Sequence, residues 1–321
     1  MYAQLPILPF KRAGYVLMMA RSKEDNTITL VASAVIVFVA GIIIHAFVIF
    51  GNIVDWMRGR PLASTDQIIT SLEISRAIFL LSCLFDAVWN FLVKRAIAVR
   101  ILFQFVRVTS NYSCVWFLTL LSVVFCLKIS IFHNVFFQCL RSVISPRVTH
   151  LIVGSVLISA LEASVNIYIA NFELAKNETV DFTLDFTHLN VQLFLLWNMT
   201  PFLIYLMAAV PLIAYLCLHV RRMKRETKTT HLDSYYKAIW FTTVSFFSCV
   251  IHISVNVNPA NFASVIDVAW LYVVVNILPI FHSIFLIFAV NKLHKQLSWI
   301  LQQGTKRCSV IRGSGTRCDN H

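Results

Sequence analysis

Seven stretches of the chain, roughly residues 28–51, 67–92, 101–131, 148–170, 191–218, 237–257 and 265–290, are long and apolar enough to constrain everything else. A helix that crosses a bilayer needs about 20 consecutive, mostly apolar residues. In hydrocarbon every backbone N–H and C=O must find its partner within the protein, and for separate spans of this length the α-helix does that. The seven stretches therefore predict an all-α, seven-transmembrane helix bundle. Composition closes off the soluble alternative. Only 13% of the residues are charged and 58% are hydrophobic, against about 25% charged in soluble domains. A water-soluble fold of this size lacks the polar groups to cover its surface.

The spans divide the chain into a leader at 1–27, a seven-helix body at 28–290 and a tail at 291–321. The leader has no continuous apolar run of the signal-peptide kind and reads as loose polypeptide, with Met18 and Met19 as alternative starts. Lys and Arg set the orientation, because cytoplasmic loops carry the excess. With the N-terminus outside, the segments 52–66, 132–147, 219–237 and 291–321 face the cytoplasm and hold sixteen basic residues, against eight on the other side. The expected topology is N-terminus outside, C-terminus cytoplasmic. Asn177-Glu178-Thr179, a glycosylation sequon, falls outside in this arrangement. Two other sequons, at Asn111 and Asn198, fall inside spans.

The net charge of +12 sits beside the apolar runs, a membrane pattern rather than a nucleic-acid one. The eight cysteines form no CxxC pair, so neither a zinc site nor a disulfide framework is expected. The polar, low-complexity tail 304–321 is expected to be disordered, and its Cys308 and Cys318 read as free thiols ahead of palmitoylation sites. No GxSxG elbow, HExxH or phosphate loop occurs, so no enzyme and no cofactor is expected. No internal repeat is visible, which argues against an inverted-repeat transporter.

Signatures of rhodopsin-like receptors are missing: "FCLKISIF" ends the third span and "PIFHSIFLI" lies in the seventh. Four other segments resemble the type 2 taste receptors, a family of G-protein-coupled receptors for bitter compounds. "NIVDWMRGRPLASTDQIITSLEISR" (52–76) looks like that family's first loop and second-span entry, with Asn52, Asp55, Trp56, Asp66, Gln67, Ser75 and Arg76 in place. "WFLTLLSVVFCLKISIF" (116–132) is similar to its third span through Leu121, Ser122, Leu127 and Lys128. "PFLIYLMAAVPLIAYLCLHVRRM" (201–223) resembles its fifth through Pro201, Leu212 and His219, and "HSIFLIFAVNKLHKQ" (282–296) its seventh through His282, Ser283 and Lys292. The chain departs from the pattern at His45, Glu73, Phe125, His133 and Val290.

The resemblance implies a plasma-membrane chemoreceptor for small-molecule agonists that signals through a gustducin-like heterotrimeric G protein, with oligomerisation left open. The alternatives are another seven-helix chemoreceptor of the vomeronasal pheromone type, which the Lys128 and His282-Ser283 segments disfavour, or a membrane transporter or channel. An intramembrane charge costs about 2.5–3.5 kcal/mol on insertion scales and is expected to face the bundle with a partner. Glu73 and Arg76 lie three apart, on one helix face. A local ion pair is the plainer reading; the resemblance adds a switch network of Arg76 with Asn52. Lys128 either snorkels to lipid phosphate or, with His219, His282 and Ser283, belongs to the signalling set the resemblance implies.

Asp86 is ten residues past Arg76, about 15 Å along the helix, and so belongs to the outer half of the membrane. By offset from the resembling segments, Asp86, Arg107, Asn111 and Tyr272 line an outward-facing ligand cavity, with Asp86–Arg107 as a candidate salt bridge; headgroup snorkelling is the other reading of that pair. For the topology, glycosidase treatment is expected to shift the electrophoretic mobility of the chain and to leave Asn177→Gln unshifted. A chain that carries no glycan in cells that glycosylate a control receptor would argue for the opposite orientation.

Overall fold

The computed structural model describes residues 8–92, 97–129, 135–176, 183–225, 232–257 and 268–315, and within them the chain is helical apart from short turns. The helices are α1 (Leu8–Met57), α2 (Ser64–Leu92), α3 (Ile97–Ile129), α4 (Val135–Ile144), α5 (Val148–Lys176), α6 (Thr183–Arg225), α7 (Leu232–Val257), α8 (Val268–Ala289) and α9 (Asn291–Gly315). Six of them, α1, α2, α3, α5, α6 and α7, pass a span test on length and apolarity alone. A seventh candidate is the pair Asn276–Ala289 of α8 and Asn291–Gln303 of α9, which pass the test together and are bent by 92°.

Two expectations from the sequence change. The leader is not loose chain: α1 starts at Leu8 and runs for 50 residues, about 75 Å at 1.5 Å per residue. Only Ala32–Met57 is apolar enough to cross the membrane; Ala, Leu, Met, Lys and Arg before it are good helix formers and simply extend the rod. The polar tail is not structureless either, because α9 continues to Gly315. The prolines of α6, Pro201 and Pro211, lie inside a continuous helix, although each lacks the N–H for one ladder bond. The carbonyl of Pro201 accepts Thr119 Oγ1 from α3 at 3.0 Å.

The helices close into a ring. α1 packs on α2 and α8, α7 bridges α6 and α8, and α3 sits at the centre against α2, α5 and α6. The largest apolar core joins Ile68, Ile69 and Leu72 of α2 to Phe117, Leu121 and Val124 of α3 and Leu286 and Ile287 of α8. The outward faces are apolar too: Ile36, Phe50, Leu157 and Met207 are each more than 60% exposed. Inside, His45, Glu73, Arg76, Glu162, His282 and Ser283 are buried. This inversion of the soluble pattern fits a hydrocarbon solvent, where apolar side chains gain little from burial and polar ones must seek each other.

Two glycines have a structural reason, one in backbone conformation and one in close packing. After α1, Gly59 takes φ +74°, Arg60 N–H bonds the Asp55 carbonyl at 3.2 Å, and Gly59 N–H bonds that of Trp56 at 3.0 Å. That is the Schellman pattern with glycine in its left-handed position, and it turns the chain sharply into α2. At Gly41 a Cβ would stand 2.7 Å from Leu80 Cδ1 and 3.1 Å from Ile280 Cδ1. The bare α-carbon lets α1 approach α2 and α8 together, the role small residues play between membrane helices. Gly41→Leu is therefore expected to lower stability by about 1–3 kcal/mol through overpacking. It should lower the melting temperature of the detergent-solubilised protein, and Gly41→Ala should do so less. Wild-type melting of Gly41→Leu would mean the helices are not this close.

Candidate functional site

A buried polar clasp joins four helices. α1 contributes His45, α2 Glu73 and Arg76, α7 Ser245, and α8 His282 and Ser283, all buried. The departures at His45 and Glu73 meet: His45 Nδ1 lies 2.5 Å from Glu73 Oε2. Arg76 Nη1 donates to Glu73 Oε1 at 2.9 Å, to Ser283 Oγ at 2.8 Å and to His282 Nδ1 at 3.0 Å. An arginine has only donors, so His282 Nδ1 accepts, and Nε2 carries the proton toward Ser245 Oγ at 2.7 Å. Ser245 then donates to the Phe241 carbonyl at 2.8 Å. Ser283 donates to Glu73 at 2.9 Å, with the Pro279 carbonyl as an alternative acceptor at 3.0 Å. Most of the clasp's polar atoms are partnered in this way, which is what makes a polar chain tolerable in a low dielectric; Arg76 Nε and His45 Nε2 are the exceptions.

A second cluster lies about 10 Å further along α1, since Asn52 is seven residues from His45 and the rise is about 1.5 Å per residue. Lys292, just past the α8–α9 bend, puts Nζ 2.9 Å from Asn52 Oδ1, 2.9 Å from Asp55 Oδ2 and 3.3 Å from Asp66 Oδ2. Asn52 Nδ2 donates to Thr70 Oγ1 at 2.9 Å. One lysine thus gathers α1, α2 and the bend. The expected network of Arg76 with Asn52 takes a different form. In the antiparallel α1–α2 pair Asn52 faces Thr70 and His45 faces Glu73, so Arg76 and Asn52 belong to separate layers.

Above the clasp is a cavity enclosing about 630 Å³ of non-atom space, its open side included. Arg76 and His45 reach it from the clasp; Asn111, Ser248, His252 and Asn276 line it among apolar neighbours. Both clasp residues have a buried nitrogen without a hydrogen-bond partner, Arg76 Nε and His45 Nε2. Asn111 stands in this wall, whereas Arg107, half-buried one turn along α3, is outside the lining. Asp86 and Tyr272 are on α2 and α8 with their side chains outside the described residues, as is all of Asn177. Lys128 ends its span and reaches Thr65 Oγ1 at 3.4 Å. His219 of α6 lies between Tyr215 and Tyr235, at 6.0 and 4.9 Å between ring centres.

Several site residues were not singled out from the sequence. Ser245, Ser248, Cys249 and His252 recur at the spacing of one helix face, and that polar stripe in an apolar span was the available signal. Glu162, a lone acid in the fourth span, is 1% exposed and accepts Trp116 Nε1 at 3.4 Å. Its side chain ties α5 to α3, and next to it Asn166 donates to Tyr112 Oη at 2.9 Å.

Comparison with known proteins gives this arrangement a context. The sequence profile of the family described as Taste receptor protein (TAS2R) matches residues 19–305. Taste receptor type 2 member 4 of Homo sapiens is 33% identical over 135 residues, 41% of this chain and 44% of the relative. The same receptor of Papio hamadryas is 28% identical over 207 residues, 61% and 68% of the two chains. Taste receptor type 2 member 7 of Gorilla gorilla gorilla is 31% identical over 210 residues, 61% and 66%. The chain thus spans less than half the length of the human relative it matches.

Breaking the clasp on one side strands a charge. Glu73→Leu leaves the Arg76 guanidinium buried without its carboxylate, and loss of one partner of a buried pair costs about 3–5 kcal/mol. Glu73→Leu combined with Arg76→Leu is expected to be less destabilised than Glu73→Leu alone, as read by thermal melting of the purified protein. Additive losses would show that the two charges do not depend on each other.

Proposed function

Since the chain belongs to the TAS2R family of taste receptors, we propose that it is a G-protein-coupled chemoreceptor of the plasma membrane, activated by small, bitter molecules that enter the cavity from outside. The N-terminus is extracellular, α9 is cytoplasmic, and a gustducin-like heterotrimeric G protein couples to the cytoplasmic ends of the helices. The observation that carries the reading is that Arg76 and His45 belong both to the cavity wall and to the clasp. A ligand acceptor that engages Arg76 Nε, or a ligand donor that engages His45 Nε2, competes with nothing in the protein, yet pulls on the groups that tie α1, α2, α7 and α8 together. A ligand shifts an equilibrium only by its differential affinity for the two states, and a wall that moves with the helices supplies that difference.

In this reading Asn111 orients the ligand, while Asp86, Arg107 and Tyr272 form the outer mouth. Asn52, Lys128, His219, His282 and Ser283 carry the change to the opposite end, with Lys292 holding the α8–α9 bend against it. Cells co-expressing the receptor with a promiscuous G protein are expected to give calcium responses to members of a bitter-compound panel. For a responding agonist, Asn111→Leu should weaken potency about fivefold, the loss of one hydrogen bond. A surface-expressed receptor silent to the whole panel, or one that passes current without the G protein, would count against the proposal. Unchanged potency in Asp86→Ala and Arg107→Ala at normal surface expression would remove both from the site.

A further inference from the structure

At the end of α3 opposite the ligand cavity, a second recess of about 300 Å³, counting its open side, separates α3 from the short helix α4. Val124, Leu127 and Ile144 give it an apolar wall, and Lys128 and Arg141 give it two cations; none of its lining residues is acidic. Both cations are exposed. Lys128 is the last residue of one membrane span and Val148 is the first of the next, so α4 between them lies at headgroup depth. Lys128 Nζ has three donors, and its contact with Thr65, at 3.4 Å, occupies one of them. The recess thus combines a greasy slot, a fork-shaped guanidinium suited to phosphate and a point charge beside it, at the depth where phosphate is found.

We infer that Lys128 and Arg141 form a binding site for the phosphate of an anionic phospholipid headgroup, with the first part of an acyl chain along Val124, Leu127 and Ile144. The site is distinct from the agonist cavity, because it shares no residue with the cavity at Arg76. Basic pockets between membrane helices hold such headgroups, and each Lys or Arg near the surface adds about 1 kcal/mol. That corresponds to about fivefold in affinity for one residue and about thirtyfold for two. A lipid held there braces α4 against α3, so the inner ends of both helices move together with the headgroup in place.

The test is native mass spectrometry of the purified full chain in detergent, titrated with phosphatidylinositol 4-phosphate. Phosphatidylcholine serves as the zwitterionic comparison and inositol 1,4-bisphosphate as the headgroup without acyl chains. Phosphatidylinositol 4-phosphate should bind more tightly than either. Lys128→Ala and Arg141→Ala should each weaken it about fivefold and the double substitution about thirtyfold, while Lys128→Arg retains it. Arg58→Ala, which removes an exposed cation at the same end of the bundle, should change nothing. Equal loss with Arg58→Ala would reduce the site to diffuse attraction and overturn the inference. Equal binding of phosphatidylcholine would overturn it as well, and equal binding of inositol 1,4-bisphosphate would reassign the site to free phosphate. Melting curves of each variant separate lost binding from lost folding.

Discussion

The buried pair of Glu73 and Arg76 is the interaction around which the bundle is arranged. A single charge at this depth would be expelled or would drag water with it, and a pair alone still leaves unmet hydrogen-bonding groups. Three apart on one helix, the two residues satisfy each other first, at 2.9 Å. Further partners come from other helices: His45 for the carboxylate, His282 for the guanidinium, and Ser283 for both. Because these partners come from α1 and α8, the ring of helices closes where the charge is. Apolar packing in lipid has no comparable directional preference, since the lipid tails compete for the same contacts.

Two layers follow from that closure. The clasp is sealed and couples four helices; the cluster around Lys292 is partly open, with the lysine side chain 30% exposed. The sealed layer is strong and specific because low dielectric magnifies each hydrogen bond. The open layer is weaker because solvent screens it, and it sits at the 92° bend between α8 and α9. A firm core with a softer hinge beyond it suits the proposed role, in which the far end of the bundle responds to a ligand in the cavity.

Legibility in the sequence was uneven, and for physical reasons. Spans are set by the average apolarity of about 20 residues, a local property, so six of the seven expected stretches overlap a helix long and apolar enough to cross, with bounds that differ by up to eight residues. The pairing of Glu73 with Arg76 was readable because helical spacing alone puts them on one face. Ends were misjudged where helix propensity outlasts hydropathy, as in α1 before Ala32 and in α9 after the bend. The contact of His45 with Glu73 joins residues on different helices, and no periodicity within either segment encodes that meeting. The proposed cavity residue Asn111 could be named from resemblance, but the share of the wall taken by Arg76 and His45 needed the fold.

By itself, then, the sequence determined a membrane solvent, helices as the only way to satisfy the backbone within it, and the presence of charges that must be buried in company. Those are consequences of composition and of spacing along one chain. Tertiary structure decided which company: His45 rather than Asn52 at the Glu73–Arg76 pair, Asn52 with Lys292 instead, and α8 bent so that Lys292 can reach three partners. The reason is geometric. Antiparallel packing fixes which level of one helix faces which level of the next, and hydrogen bonds of about 3 Å are sensitive to that register, whereas hydropathy is not.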